Sequence, residues 1–200
     1  MKKATLIALV LFSGILTSQA QLRVSPGIRG GLNLTNLTNF GSSDYKSDYY
    51  IGGLIELKFN KYFTLQPELN YSRQGAKTRE LSYDEFGIRE EKYNLDYVTL
   101  GAVAKFHFGG QGFHVLAGPS VDIKTNDNFP NFSDLAGADL AFVGGLGYSM
   151  SNGLTFEARF KNGLIDIYGY EDFDNNDDDY YYYDDVILNY AFQFGISYTF

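Results

Sequence analysis

Leu188–Phe200 reads LNYAFQFGISYTF. Leu188, Tyr190, Phe192, Phe194, Ile196, Tyr198 and Phe200 are large and apolar, and each residue between them is small or polar. An extended chain sends alternate side chains to opposite faces, so the stretch predicts a β-strand with one oily face and one wet face. What the strand belongs to depends on how often the pattern recurs and on which face looks inward.

It recurs seven more times. Strands are expected near residues 27–34, 49–59, 62–74, 93–108, 113–124, 138–150 and 154–165, with 188–200 as the eighth. In the second, Tyr49, Ile51, Ile55, Leu57 and Phe59 oppose Tyr50, Leu54, Glu56 and Lys58; in the seventh, Phe156, Ala158 and Phe160 oppose Glu157, Arg159 and Lys161. The fourth is irregular: Tyr93, Leu95 and Tyr97 share one parity, and Val98, Leu100, Ala102, Ala104 and Phe106 the other. A β-bulge near Asp96–Thr99 would put both sets on one face, because an extra residue flips the alternation.

The connections alternate as well. Tight turns (Asn60-Lys61, Gly109–Gly112, Ser151–Gly153) follow strands two, four and six. Long polar segments (Thr35–Ser47, Gly75–Lys92, Thr125–Gly137, Tyr168–Val186) follow strands one, three, five and seven. That is an up-and-down meander of hairpins with all its long loops at one end.

The beginning of the chain reads differently. Lys2 and Lys3 precede the apolar run ATLIALVLFSGIL, and Ser18 and Ala20 supply the small residues of a cleavage site before Gln21. Residues 1–20 are therefore expected to be a secretory signal peptide, leaving 21–200 as one barrel domain. Of 16 basic residues the mature part keeps 14, against 24 acidic, a net charge of −10. Such a chain does not suit a nucleic-acid partner, which needs a basic stripe. The absence of cysteine removes disulfide and thiol chemistry.

Eight antiparallel strands can close in two ways. In a soluble barrel the apolar face lines the interior, and in a membrane barrel it faces lipid. The interior of an eight-stranded barrel is only wide enough for side chains or one small ligand. Stripes of Tyr, Phe, Leu and Ile from every strand are too bulky to meet there. The opposite face is small and carries a near-balanced charge set: Arg29, Lys58, Lys105, Lys124, Arg159 and Lys161 against Glu56, Glu68, Asp122 and Glu157. The fold expected is all-β, an eight-stranded antiparallel up-and-down transmembrane β-barrel, monomeric, with ion pairs filling its lumen.

The signal-like start ending SQAQ, the eight strands, the long loops and the final FGISYTF together resemble the outer-membrane β-barrel proteins of the Gram-negative envelope. Within these the chain is most similar to the PorT-like β-barrel family, over essentially all of residues 21–200. The resemblance implies a bacterial outer-membrane location, with membrane lipid as surroundings. It also implies that Phe192, Phe194, Ile196, Tyr198 and Phe200 form the signal read by the barrel-assembly machinery. Function varies widely on such small barrels. The leading expectation is a non-enzymatic surface role with an extracellular or envelope protein as partner. An accessory role in envelope protein secretion comes second, an outer-membrane lipid-modifying enzyme third, and a soluble ligand-binding barrel last.

Two stretches bear on chemistry. His107 and His114 flank the GGQG turn on the lumen face, where they can sit across the hairpin from each other. Acyl transfer needs a base beside a hydroxyl; Ser120 is six residues from His114, roughly 20 Å along a strand. They are read as lumen filling, with no catalytic residue and no cofactor. The acidic segment YEDFDNNDDDYYYYDD, residues 170–185, places Asp172, Asp174 and Asp178 as weak cation-ligand candidates. An EF-hand needs glycine at its sixth position and an acid at its twelfth. Asp177 and Tyr183 stand there instead, so the segment reads as a solvated outer loop whose tyrosines suit protein contact.

Overall fold

The computed structural model describes residues 22–40, 43–82, 87–110, 112–129, 135–167 and 186–200. Strands run β1 Arg23–Leu37, β2 Ser43–Asp44, β3 Lys46–Lys58, β4 Phe63–Ser82, β5 Gly87–His107, β6 Phe113–Asp127, β7 Ala138–Ser149, β8 Leu154–Gly163 and β9 Asn189–Thr199. The eight long strands pair antiparallel in the order β4-β3-β1-β9-β8-β7-β6-β5, and β4 pairs with β5 to close the ring. First and last strands meet in register from Gly27↔Thr199 to Leu37↔Asn189. Closure leaves no long edge to aggregate and satisfies the strand backbone within the wall, which a chain in hydrocarbon requires.

The strand faces divide by polarity. Phe194 and Phe156 point outward at 50 % and 43 % exposure, whereas Gln193 and Arg159 point inward at 7 % and 3 %. Aromatic rings gather toward both ends of the outer wall. Tyr45, Tyr190, Phe160 and Phe192 contact one another toward the long-loop end, and Phe106, Phe108 and Phe113 near a short turn. Such rings suit the two interfaces of a bilayer.

Three expectations are corrected. The segment Gly75–Lys92 is not a loop: β4 and β5 continue pairing to Ser82↔Gly87. Beyond Ala76 and Tyr93 the hairpin sequence is polar at most positions of both parities, so the apolar alternation fades while the backbone ladder persists. Lys77 Nζ bridges Glu90 at 3.1 Å across it, and β2 adds Asp44 opposite Lys77.

The bulge is real in position but sits on the neighbouring strand. Tyr97 pairs with Lys124 and Asp96 with Asn126, so Thr125 of β6 is the extra residue. Its hydroxyl donates to the Asp96 carbonyl at 3.0 Å. β5 therefore keeps its alternation, which is the third correction. Leu95 and Tyr97 point inward at 1 % and 3 % exposure and pack with Leu37, Ala76, Phe129, Leu135 and Ile167. Phe40, Tyr93 and Ile187 flank this cluster. The inner face is thus apolar at the end bearing the long loops and mostly polar below it, where Val103, Leu116 and Val143 form a second, smaller apolar cluster.

Candidate functional site: the lumen and its outer mouth

Inward positions come from every strand and fall into layers. Near the short turns, His107 and His114 stand opposite each other with ring centroids 4.9 Å apart. His114 Nδ1 lies 3.0 Å from the Gly112 carbonyl, His107 Nε2 lies 3.4 Å from Thr64 Oγ1, and His114 Nε2 lies 3.6 Å from Glu157. Gly147 makes room for this packing, since a Cβ there would fall on the His114 ring and within 3.0 Å of Glu157 Cγ. The structure does not bring Ser120 to His114, whose neighbours are the Gly112 carbonyl, His107 and Glu157.

The next layer assembles six of the expected lumen charges. Arg29 Nη1 reaches Glu68 at 2.6 Å, and Arg159 Nη1 reaches the same carboxylate at 2.8 Å. Arg159 Nη2 reaches Glu157 at 2.7 Å, and Lys105 Nζ spans Glu157 at 2.8 Å and Glu56 at 3.1 Å. Three cations meet three carboxylates, and none of these side chains is more than 4 % exposed. A buried charge without a partner would cost several kcal/mol, so equal numbers are what the enclosure demands. Lys58 sits at the edge of the layer, 38 % exposed, on Glu56 at 2.9 Å. Tyr50, which was not singled out in the sequence, completes the layer. Its hydroxyl accepts from Arg29 Nη2 at 3.2 Å, and its ring lies 4.8 Å from the guanidinium carbon. Its parity placed it inward; the signal for its partner was Gly195, whose missing side chain leaves space for the phenol.

Above lies an amide and hydroxyl layer. Gln193 Nε2 donates to Asn33 at 2.9 Å, Asn33 Nδ2 to Ser72 at 3.0 Å, and Asn189 Nδ2 to Gln74 at 2.6 Å. Thr99 donates to Asp122 at 2.6 Å, and Lys161 forms an ion pair with the same carboxylate. Lys161 therefore belongs to this layer and not to the six-charge network. Lys124 stands higher still, bonded to the Leu135 carbonyl and to Asp127 at 3.0 Å each. Between the layers is a cavity of about 10 Å³ lined by Arg29, Glu68, Asn70, Ser120 and Lys161 among others, about the room one water needs.

At the top, the apolar cluster is tied to the bases of the long connections. Thr38 and Leu188 exchange bonds of 2.9 and 2.7 Å, Ala136 N donates to the Ile167 carbonyl at 2.7 Å, and Ile167 N to the Ile187 carbonyl at 3.0 Å. Among the described residues no group of three or more His, Asp or Glu side chains could hold a metal ion. Asp172, Asp174 and Asp178 lie outside the described residues. Phe192, Phe194, Ile196 and Tyr198 project outward from β9, and Phe200 follows it at 71 % exposure.

A closed ring with an oily outside and a charged, packed inside has one natural setting, a lipid bilayer. The outer membrane protein beta-barrel domain family matches residues 18–169. The chain belongs to that family. It is an integral protein of the bacterial outer membrane. Among solved structures it is similar to Neisserial surface protein A (NspA), 11 % identical over 89 % of this chain and 99 % of that one, with a TM-score of 0.56. It is also similar to Ail, the attachment invasion locus protein of Yersinia pestis, solved with the heparin analogue sucrose octasulfate. There the identity is 12 %, the coverage 90 % and 100 %, and the TM-score 0.47. The N-terminal barrel domain of Pseudomonas aeruginosa OprF is 14 % identical over 89 % and 100 %, with a TM-score of 0.42. At 11 % identity the likeness to NspA is one of fold. No curated protein matches the chain.

Proposed function

We propose that the barrel is a non-conducting, non-catalytic anchor that holds its long connections at the cell surface for contact with an extracellular or envelope protein. The observation that carries this reading is the packing of the lumen by paired charges, with a cavity of about 10 Å³ between its layers and an apolar cluster above them. Hydrated solutes need an open polar path, which 16–18-stranded porins provide and an eight-stranded interior filled by side chains does not. The proposal includes export by a cleaved segment 1–20, and assembly signalled by Phe192, Phe194, Ile196, Tyr198 and Phe200. The monomer is the working unit, and residues 170–185 belong to the contact surface. The narrower PorT-like resemblance belongs here too, with an accessory role in protein secretion as the second reading.

The test is conductance across a planar lipid bilayer. The intact protein should produce no sustained current above the bare membrane. A stable open level would refute the anchor reading. For the surface role, neutralising Asp177, Asp178 and Asp179 together should weaken capture of a surface partner while leaving barrel folding unchanged.

A further inference from the structure

The chain's two Asn-Gly dipeptides bracket β8, with Asn152-Gly153 at its short-turn end and Asn162-Gly163 at the other. An asparagine before glycine is open to attack on its side-chain amide by the next main-chain nitrogen, because glycine puts no side chain beside that nitrogen. The nitrogen must first turn in toward the side-chain carbonyl carbon. Geometry therefore decides between two sites of identical chemistry.

The first pair lies in the turn that joins β7 to β8. Met150 N donates to the Leu154 carbonyl at 2.7 Å, and Gly153 N to the Met150 carbonyl at 3.2 Å. Gly153 has a φ of 91°, the left-handed backbone that closes such a turn. The Asn152 side chain is exposed, and its Oδ1 accepts from Leu154 N at 3.1 Å. That bond draws electrons from the carboxamide carbon and stabilises the negative oxygen that forms on attack. Freeing the Gly153 nitrogen breaks one long hydrogen bond at the edge of the barrel.

The second pair is held in the wall. Asn162 lies opposite Phe142 on one side and Tyr190 on the other, and Gly163 lies opposite Ala141. Asn162 is half-buried, and its Nδ2 donates to the Gly163 carbonyl at 2.9 Å. Gly163 is buried against the Asp139 carboxylate, which a Cβ there would strike. An extended strand paired on both sides keeps its next nitrogen turned away from the side-chain carbon.

We propose that Asn152 is a site of spontaneous deamidation, and that the fold confines this modification to the short-turn rim. The Gly153 nitrogen gives its proton to solvent base and bonds to Asn152 Cγ. The bond from Cγ to Nδ2 breaks, and the amide nitrogen leaves as ammonia. Water then opens the succinimide ring. Cleavage at Cγ gives aspartate, and cleavage at the main-chain carbonyl gives isoaspartate; nothing is oxidised or reduced. Either product puts a carboxylate in a turn, Ser151–Gly153, that carries no charge. The altered bond adjoins Gly153, whose carbonyl accepts from Thr199 N at 3.0 Å, so the change falls where the final strand meets β8.

The test holds the full-length mature protein folded in lipid vesicles in mildly alkaline buffer and follows both sites by peptide mapping. Trypsin separates them, because residues 125–159 and 162–200 lie on different fragments. Fragment-ion spectra locate each conversion, and enzymatic methylation counts isoaspartate. Asn152 should convert about tenfold faster than Asn162, the factor expected of one further backbone hydrogen bond to break. In urea the two rates should become equal, since only the shared dipeptide then acts. Asn152→Gln should remove most of the isoaspartate from the 125–159 fragment. Equal rates in the folded protein, faster conversion at Asn162, or an intact Asn152 after the urea-unfolded chain has converted would overturn the proposal.

Discussion

Replacing Glu68 by alanine probes the lumen where its bonds converge. The carboxylate accepts from Arg29 at 2.6 Å and from Arg159 at 2.8 Å, and Gln66 adds a bond of 3.0 Å. Without it Arg159 keeps Glu157 at 2.7 Å, but Arg29 keeps only Tyr50 and a Glu157 oxygen 3.9 Å away. The enclosed set changes from three against three to three cations against two carboxylates. Breaking a buried pair from one side costs about 3–5 kcal/mol, because the surviving charge has no water to return to. Removing Glu90 from the exposed Lys77 bridge should cost about 0–1 kcal/mol. The measurement is urea-dependent folding into lipid vesicles, followed by tyrosine fluorescence and gel mobility. Adding Arg29→Met to Glu68→Ala should recover part of the loss, since it removes the stranded charge. A Glu68→Ala loss as small as that of the exposed pair, or no recovery in the double variant, would refute the reasoning.

Other expectations follow from the same geometry. Phe194→Arg places a charge on the lipid face and should destabilise the barrel by about 2–4 kcal/mol near the bilayer midplane, measured by the same folding assay. Gln193→Ser, on the opposite face, should cost less. Leu95→Ala removes a buried inward side chain from the outer-mouth cluster and should cost about 2–5 kcal/mol. A value near zero would return Leu95 to the lipid face. Gly147→Val overlaps the His114 ring and should cost about 1–3 kcal/mol through overpacking, whereas Gly144→Ala, with nothing within 4 Å of its Cβ, should be close to neutral.

Much of this fold was legible because a barrel in lipid obeys a strict rule. In the hydrocarbon zone the wall is oily outside and polar inside, so period two survives in β3, β8 and β9 with few exceptions. The rule lapses outside the hydrocarbon, and there the reading failed. In β4 and β5 beyond Ala76 and Tyr93 the sequences KTRELS and GIREEK are polar at most positions of both parities, so a long hairpin looked like a loop. At the outer mouth Leu95 and Tyr97 turn inward to bury themselves against Phe129, Leu135 and Ile167, and apolar residues on the inner face mimicked a bulge. No local signal could have separated the two, because Phe129 and Ile167 come from distant connections. The lumen was legible as a set of charges but not as a network. Parity put Arg29, Glu68 and Arg159 inside, whereas their pairing depends on strand stagger around the ring. Tyr50 and Gly195 show the same limit: a large and a small residue complement each other only once the register across β1 is known.

The central claim concerns which face of the ribbons meets lipid, and the chain's lack of cysteine makes it open to direct measurement. Single cysteines placed one at a time from Ala191 to Ile196 would carry nitroxide labels in reconstituted vesicles. Collision rates would be read with oxygen, which enters hydrocarbon, and with a water-soluble nickel complex. Labels at Phe192, Phe194 and Ile196 should collide strongly with oxygen, and those at Ala191, Gln193 and Gly195 should be shielded from it. Oxygen access in the opposite phase, or equal at all six positions, would contradict the account.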